Sequence, residues 1–288
     1  MNKTSFFLTI HLKLFAYNIV AIKFWIAKGG FSMQTTLKLT NVSYTYYTKD
    51  GETKALDLLS FSVKKGEFVA IVGPSGCGKS TLLNMIAGLL TPTTGQILLD
   101  NKPLSKFYEP IGYMLQKDQL LEWRTIYRNL TLGLEIQNRM TPENLHRIDE
   151  LLKAYGLYEF RNAYPRQLSG GMRQRAALIR TLALSPQILL LDEPFSALDY
   201  QTRLHVSDDI GTIIKKQQMT AILVTHDLSE AISMADRVII LSRRPATIKK
   251  IVPIHLTISG KRTPAKARNA KEFPEYFQLI WEEINYDS

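Results

Sequence analysis

Apolar and polar positions alternate along residues 36–47 (TLKLTNVSYTYY) and 58–63 (LLSFSV), with β-branched and aromatic residues in many of the apolar places. That period of two predicts strands of a small antiparallel sheet. KKGE at 64–67 predicts a turn, and the pattern then changes. FVAIV at 68–72 is apolar at every position, which predicts a strand covered on both faces. After a glycine loop, STLLNMIAGLL has helical apolar spacing, and TPTTG at 91–95 breaks it. QILLD (96–100) and IGYMLQ (111–116) read as further strands.

From about 125 to 185 the spacing is helical: TIYRNLTLGLEIQNR, then TPENLHRIDELLKAYGL, then a segment opened by SGGM. Thr141-Pro142 is a helix start, with a capping hydroxyl and proline at the first helical position. Three more continuous apolar strands follow, ILLLD (188–192), AILVT (221–225) and RVIILS (237–242). Helices are predicted between them, at about 200–217 and from about Leu228. Buried parallel strands alternating with helices predict an α/β core, and the block at 125–185 reads as a helical insertion into it.

Charge changes this picture little. The chain of 288 residues has a formal net charge of +10, which raises a nucleic-acid or membrane-surface reading. The excess sits at the ends. Residues 1–32 carry Lys3, Lys13, Lys23 and Lys28 with no acid, and residues 243–271 carry nine Lys or Arg with no acid. The last stretch, 272–288, is acidic, and residues 33–242 are nearly neutral. The basic run reads as a solvated segment rather than a nucleic-acid patch, and contact with anionic lipid headgroups is its functional alternative. The first residues, FFLTIHLKLFAYNIVAIKFWI, are apolar but broken by His11, Lys13, Asn18 and Lys23, a poor match to a spanning helix. Residues 1–33 therefore read as an extension outside the domain, with an interfacial amphipathic segment as the alternative. One cysteine, Cys77, excludes an internal disulfide framework and fits a reducing compartment.

The chemistry lies at strand ends. Gly73, Pro74, Ser75, Gly76, Cys77, Gly78, Lys79, Ser80 and Thr81 contain the full phosphate-loop pattern, placed after a strand and opening a helix. The glycines let backbone wrap phosphates, Lys79 supplies a point charge, and the Ser80 hydroxyl can ligate Mg²⁺. Cys77 reads as a small loop residue rather than a nucleophile. Asp192 and Glu193 follow a buried strand, where open α/β sheets bind ligands. Asp192 is the candidate for orienting Mg²⁺ and Glu193 for the general base or water-positioning group. His226 and Gln116 end two other strands at the same edge, His226 facing the γ-phosphate and Gln116 sensing metal and attacking water. A second glycine loop, Ser169-Gly170-Gly171 within QLSGGMRQR, also opens a helix. Unpaired N–H groups there make an anion site that one nucleotide does not obviously need.

In this order, the phosphate loop, GYMLQ, LSGGM (168–172), LLLDE (189–193), SALD (196–199) and VTHD resemble the nucleotide-binding subunit of ABC transporters over roughly residues 36–245. LSGGM is the specific element. LLEWRTIYRNLTLGLEI, DEPFSALDYQTR and the tail FPEYFQLIWEEI further resemble importers of the nitrate, sulfonate, taurine, bicarbonate and pyrimidine-precursor group. The resemblance implies a RecA-like phosphate-loop NTPase core at 34–245. It adds an N-terminal antiparallel β subdomain and an inserted helical subdomain at about 117–185, followed by a basic then acidic extension at 246–288. It implies an ATPase using ATP and Mg²⁺, paired as a homodimer on two permease subunits. The subunit would be peripheral to the cytoplasmic face of the membrane, and an extracytoplasmic solute-binding protein would deliver the solute.

Residue by residue, the resemblance places Tyr46 on adenine, with Tyr44 and Tyr47 close by. It places the phosphate loop, Gln116, Asp192, Glu193 and His226 on one ATP, with Ser80, Gln116 and Asp192 around the metal. Ser169, Gly170 and Gly171 cap the γ-phosphate of the ATP held by the other subunit, and Asp199 couples the two sites. No nucleic-acid partner is implied. The competing readings are a separate-subunit ABC exporter and a soluble nucleic-acid-linked ABC ATPase. A very long coiled coil between phosphate loop and LSGGM, the mark of the DNA-repair relatives, has no room here.

Overall fold

The computed structural model describes residues 35–49, 51–104 and 111–285. The N-terminal extension expected at 1–33 lies outside them. Residues 35–288 form one compact unit.

Two sheets organise it. The smaller contains β1 (Thr35–Thr48), β2 (Gly51–Lys64), β4 (Thr94–Leu99) and β5 (Lys102–Pro103) in the order β2-β1-β4-β5. β1 runs antiparallel to both β2 and β4. β2 begins earlier than its apolar pattern predicts. Its first residues are exposed, so no alternation marks them; the ladder to β1, with Tyr46 opposite Thr53 and Thr48 opposite Gly51, holds them extended.

The larger sheet contains β3 (Phe68–Val72), β6 (Ile111–Met114), β7 (Ile188–Asp192), β8 (Thr220–Val224), β9 (Arg237–Leu241) and β10 (Ile248–Pro253), in the order β10-β9-β3-β8-β7-β6. All neighbours are parallel except β10, which pairs antiparallel with β9. Every residue of β3, β7 and β8 is buried. Alternate side chains enter two different cores: Phe68, Ala70 and Val72 pack into the larger, helix-rich one, while Val69 and Ile71 pack with the small sheet. That is the physical reason these strands show no polar face.

Helix α1 (Lys79–Ile86) stops short of the predicted STLLNMIAGLL. Gly88 takes φ 73°, a left-handed position that ends the helix. The inserted helices are α2 (Ile126–Ile136), α3 (Pro142–Ala154) and α4 (Gly170–Leu182). Thr125 and Thr141 cap the first two, accepting from Arg128 N–H and Asn144 N–H, and Pro142 takes the first helical position of α3 as predicted. α5 (Tyr200–Lys216) and α6 (Leu228–Met234) connect the core strands.

The C-terminal residues add α7 (Pro264–Arg268) and α8 (Phe273–Asn285). β10 continues the main sheet past residue 245. The reading of 243–271 as a solvated basic run holds for the exposed Arg243, Arg244, Lys250, Lys261, Lys266 and Lys271 but not for the half-buried Lys249, Arg262 and Arg268. Arg262 donates to the carbonyls of Ile232 at 3.0 Å and Ala235 at 2.7 Å, satisfying oxygens at the end of α6. Arg268 clasps both carboxylate oxygens of Asp208 at 2.7 and 2.8 Å, and Lys250 pairs with Glu283 at 2.6 Å. A linear charge count cannot see these partners, which come from distant segments. Among the described residues no helix is long and apolar enough to cross a membrane.

Candidate functional site

Parallel register brings the strand ends together. Asp192 pairs across from Val224, Ile71 also from Val224, and Met114 from Leu191. The phosphate loop, Gln116, Asp192–Glu193 and His226 therefore share one sheet edge.

The loop from Gly73 is shaped by its glycines. Gly76 and Gly78 adopt φ 70° and 120°, conformations that disfavour a side chain. Gly78 caps α1 without a side-chain acceptor, so the first N–H groups of the helix are left for an anion. Lys79 is buried, and its Nζ donates to the carbonyls of Gly73 at 2.8 Å and Pro74 at 2.9 Å. Cys77 is buried and burial pushes its thiol pKa up, which suits a small packing residue and not a nucleophile.

Asp192 is buried at the end of β7. It accepts from Ser80 Oγ at 3.3 Å and from the Tyr113 hydroxyl at 3.3 Å. Burial raises its pKa, opposed by those two hydrogen bonds. Tyr113 was missed by motif reading; its hydroxyl also reaches Asn84 Oδ1 at 3.1 Å. The one available signal was a polar-tipped residue inside an apolar strand.

Glu193 takes φ 43° and its N–H donates to the Val224 carbonyl at 2.8 Å. Its Oε2 lies 3.1 Å from His226 Nδ1 and 3.3 Å from Gln116 Nε2. Gln116 Nε2 also donates to Ser196 Oγ at 3.3 Å. The hydrogen bonds of this amide thus go toward Glu193 rather than toward the Ser80–Asp192 pair. Tyr46, among the three nearby tyrosines, is the one whose hydroxyl reaches the loop, 3.0 Å from Thr81 Oγ1, with Tyr44 packed edge-on at 4.8 Å.

A cleft of about 690 Å³ joins the loop to the strand-end groups, with Tyr46 and Tyr113 outside its lining. Residues 75–76 and 78–81 line it with Gln116, Asp192, Glu193, His226 and Arg244. Arg244 carries no motif signal. The lining does not include Ser169, Gly170 or Gly171. Ser169 is exposed and caps α4, accepting from Met172 N–H at 3.3 Å. Gly171 has a packing duty that the phosphate reading missed: a Cβ there would meet Val206 at 3.0 Å and Thr202 at 3.1 Å on α5. Asp199 caps α5 by accepting from Thr202 N–H at 3.0 Å, and those N–H contacts hold its carboxyl below the usual range.

The cleft thus combines free helix N–H groups and a buried cation, a hydroxyl and a carboxylate 3.3 Å apart, and a second carboxylate contacted by an imidazole and an amide. Comparison with known proteins gives the family. A family model described as ABC transporter matches residues 56–196. The chain is 44% identical over 249 residues to YtlC of Bacillus subtilis, an uncharacterized ABC transporter ATP-binding protein, covering 86% of this chain and 95% of that one. It is 38% identical over 242 residues to the nitrate import ATP-binding protein NrtD of Synechocystis sp., covering 84% and 91%. With the aliphatic sulfonates import ATP-binding protein SsuB of Bacillus cereus the identity is 34% over 251 residues, covering 87% and 96%. Among solved structures, the dimeric ATP-binding cassette MJ0796, in a post-hydrolysis state bound to ADP and Pi, superposes with a TM-score of 0.66 at 33% identity, covering 76% of this chain and 99% of that one.

Proposed function

The chain belongs to the ABC transporter ATP-binding family, and from that premise we propose that it is the ATP-hydrolysing subunit of an importer, working as a homodimer on two membrane-spanning permease subunits. The observation that carries this reading is a division of labour. The cleft gathers Lys79, Ser80, Gln116, Asp192, Glu193 and His226, while the capped N-terminus of α4 at Ser169–Gly171 stands outside its lining. An ATP in the cleft of one subunit would receive those three residues from the other. The start of α4 would present about half an elementary charge to its γ-phosphate.

Within one subunit the roles follow from the contacts. Lys79 and the loop backbone hold the β- and γ-phosphates. The Ser80 hydroxyl and Asp192 carboxylate, 3.3 Å apart, are the kind of hard-oxygen pair that Mg²⁺ takes while keeping water and phosphate oxygens as its other ligands. When bound, Mg²⁺ supplies charge neutralisation at the phosphates. Glu193 accepts the proton of the attacking water, with His226 and Gln116 fixing its carboxylate. Tyr46, beside Thr81, is the aromatic for adenine. Gln116 and the helices that follow it pass the change on hydrolysis to the permease, a two-state element biased by a γ-phosphate.

Residues 34–245 would serve as the ATPase domain, with about 117–185 as its helical subdomain, 1–33 as an extension, and 246–288 as an extension whose strand β10 joins the domain's main sheet. The subunit would lie on the cytoplasmic face of the membrane. The likeness to the nitrate and sulfonate import proteins supports a small anionic solute, with pyrimidine-like compounds as the neighbouring class, delivered by an external solute-binding protein.

The test is reconstitution of the chain with its permease and binding protein in lipid vesicles. Nitrate, alkanesulfonate, taurine or pyrimidine is expected to stimulate ATP turnover and to accumulate on the side opposite the binding protein. Movement toward the binding protein would assign the complex to exporters. Turnover stimulated by DNA or RNA, steeply salt-dependent and indifferent to the permease, would overturn the transport reading.

A further inference from the structure

One wall of the nucleotide cleft comes from a segment with no motif. β9 runs parallel to β3 with Ile240 opposite Val72, so the chain leaving β9 passes beside the start of the phosphate loop. The approach is close: a Cβ on Gly73 would meet the Leu241 carbonyl at 3.0 Å. The next residues are fastened on both sides. Ser242 N–H donates to the Thr247 carbonyl at 3.0 Å, and Ser242 Oγ accepts from Thr247 N–H at 2.9 Å. Ala246 N–H donates to the Ala55 carbonyl and accepts through its own carbonyl from Asp57 N–H, both at 2.9 Å, which ties the segment to β2.

Between these anchors Arg244 reaches into the cleft lining, and its guanidinium donates to the Gly76 carbonyl at 2.8 Å. This parallels Lys79, which takes the carbonyls of Gly73 and Pro74. The two cations together cover three carbonyl oxygens of a loop that must face an anion. A guanidinium has five N–H donors in a planar fork, so one bond to Gly76 leaves others for phosphate oxygens. Against them the cleft holds the acids Asp192 and Glu193.

We propose that Arg244 is a further nucleotide-binding residue, giving the polyphosphate a second side-chain cation and holding the Gly76 peptide in place. The inference rests on the reading of the cleft as the ATP site. It predicts that phosphate, rather than base, is what Arg244 recognises, and that its contribution is screened by salt.

The experiment measures equilibrium binding of ATP, ADP and AMP to the purified full chain, to Arg244→Gln and to Arg244→Lys, at stepped ionic strength. Arg244→Gln is expected to raise the Kd for ATP and ADP about tenfold, the loss of one charge-assisted hydrogen bond. AMP should change less, and the dependence of log Kd on salt should flatten. Arg244→Lys should restore the salt dependence but only part of the affinity, because it keeps the charge and loses the fork. Unchanged ATP affinity and salt dependence in Arg244→Gln would overturn the proposal. Equal weakening of all three nucleotides would also overturn it, since that marks a loop that is merely disordered. Failure of the unmodified chain to bind ATP would instead overturn the reading of the cleft.

Discussion

Arg203 Nη1 lies 3.5 Å from Asp227 Oδ2, and the other terminal nitrogen of Arg203 donates to the Leu198 carbonyl at 3.1 Å. Leu198 precedes Asp199 and Asp227 follows His226, so this pair joins the turn assigned to the subunit interface to the turn that steers Glu193. Both partners are about one-quarter exposed, which limits their mutual attraction. Their value is placement.

Arg203→Ala and Asp227→Asn should each lower kcat several-fold with little change in KM for ATP. The double variant should be no worse than the poorer single, a coupling of about 1 kcal/mol in a kinetic double-mutant cycle. Asparagine keeps the capping oxygen that Asp227 offers to Ser229 N–H at 2.8 Å. Additive losses would show that the two turns act separately.

Glu193→Gln removes the base while leaving a side chain of the same shape beside His226 and Gln116. Steady ATP turnover should fall at least about a hundredfold, and ATP should trap a dimer visible by size-exclusion chromatography with light scattering. Turnover within twofold of the unmodified chain would remove Glu193 from the mechanism.

Ser169→Arg places a bulky cation on the exposed cap of α4, away from the cleft lining of its own chain. ATP should bind the monomer with near-normal affinity, and ATP-driven dimerisation should disappear. Loss of monomer binding would contradict action across the interface.

Glu230 gives a pH signature. It is buried on α6 and accepts from Thr225 Oγ1 at 2.6 Å, and burial raises its pKa from 4.5 to about 7. Between those values the folded chain keeps a proton that the unfolded chain has lost, so this group makes stability fall as pH rises. The span corresponds to about 3 kcal/mol. Glu230→Gln should therefore be more stable than the unmodified chain above pH 7 and similar to it near pH 4.5, in urea titrations at stepped pH. A parallel pH profile in the two proteins would rule out a buried proton on Glu230.

Much of this was legible in the sequence because it is local. Four-to-five-residue apolar runs mark strands covered on both faces; Thr141-Pro142 marks a helix start; the glycines of 73–78 mark a phosphate loop wherever a strand feeds a helix. The reading failed where a partner came from far away in the chain. The first four residues of β2 are exposed, with no apolar side chain among them, and are held by β1. Arg262 and Arg268 looked solvated until α6 and Asp208 were brought to them.

The sequence by itself determined the type of chemistry, because each group's motif is a few residues long and needs only its neighbours to take shape. Tertiary structure decided which groups share a site. Parallel register set Gln116, Asp192, Glu193 and His226 on one edge with Tyr113 beside Asp192, while β1 carries the Tyr46 hydroxyl to Thr81 and the segment after β9 brings in Arg244 without any motif. It also left Ser169–Gly171 outside the cleft, since α4 is held against α5 through the bare Cα of Gly171. Such proximity comes from strand order and packing between segments from about 33 to 168 residues apart, and no short window of sequence contains it.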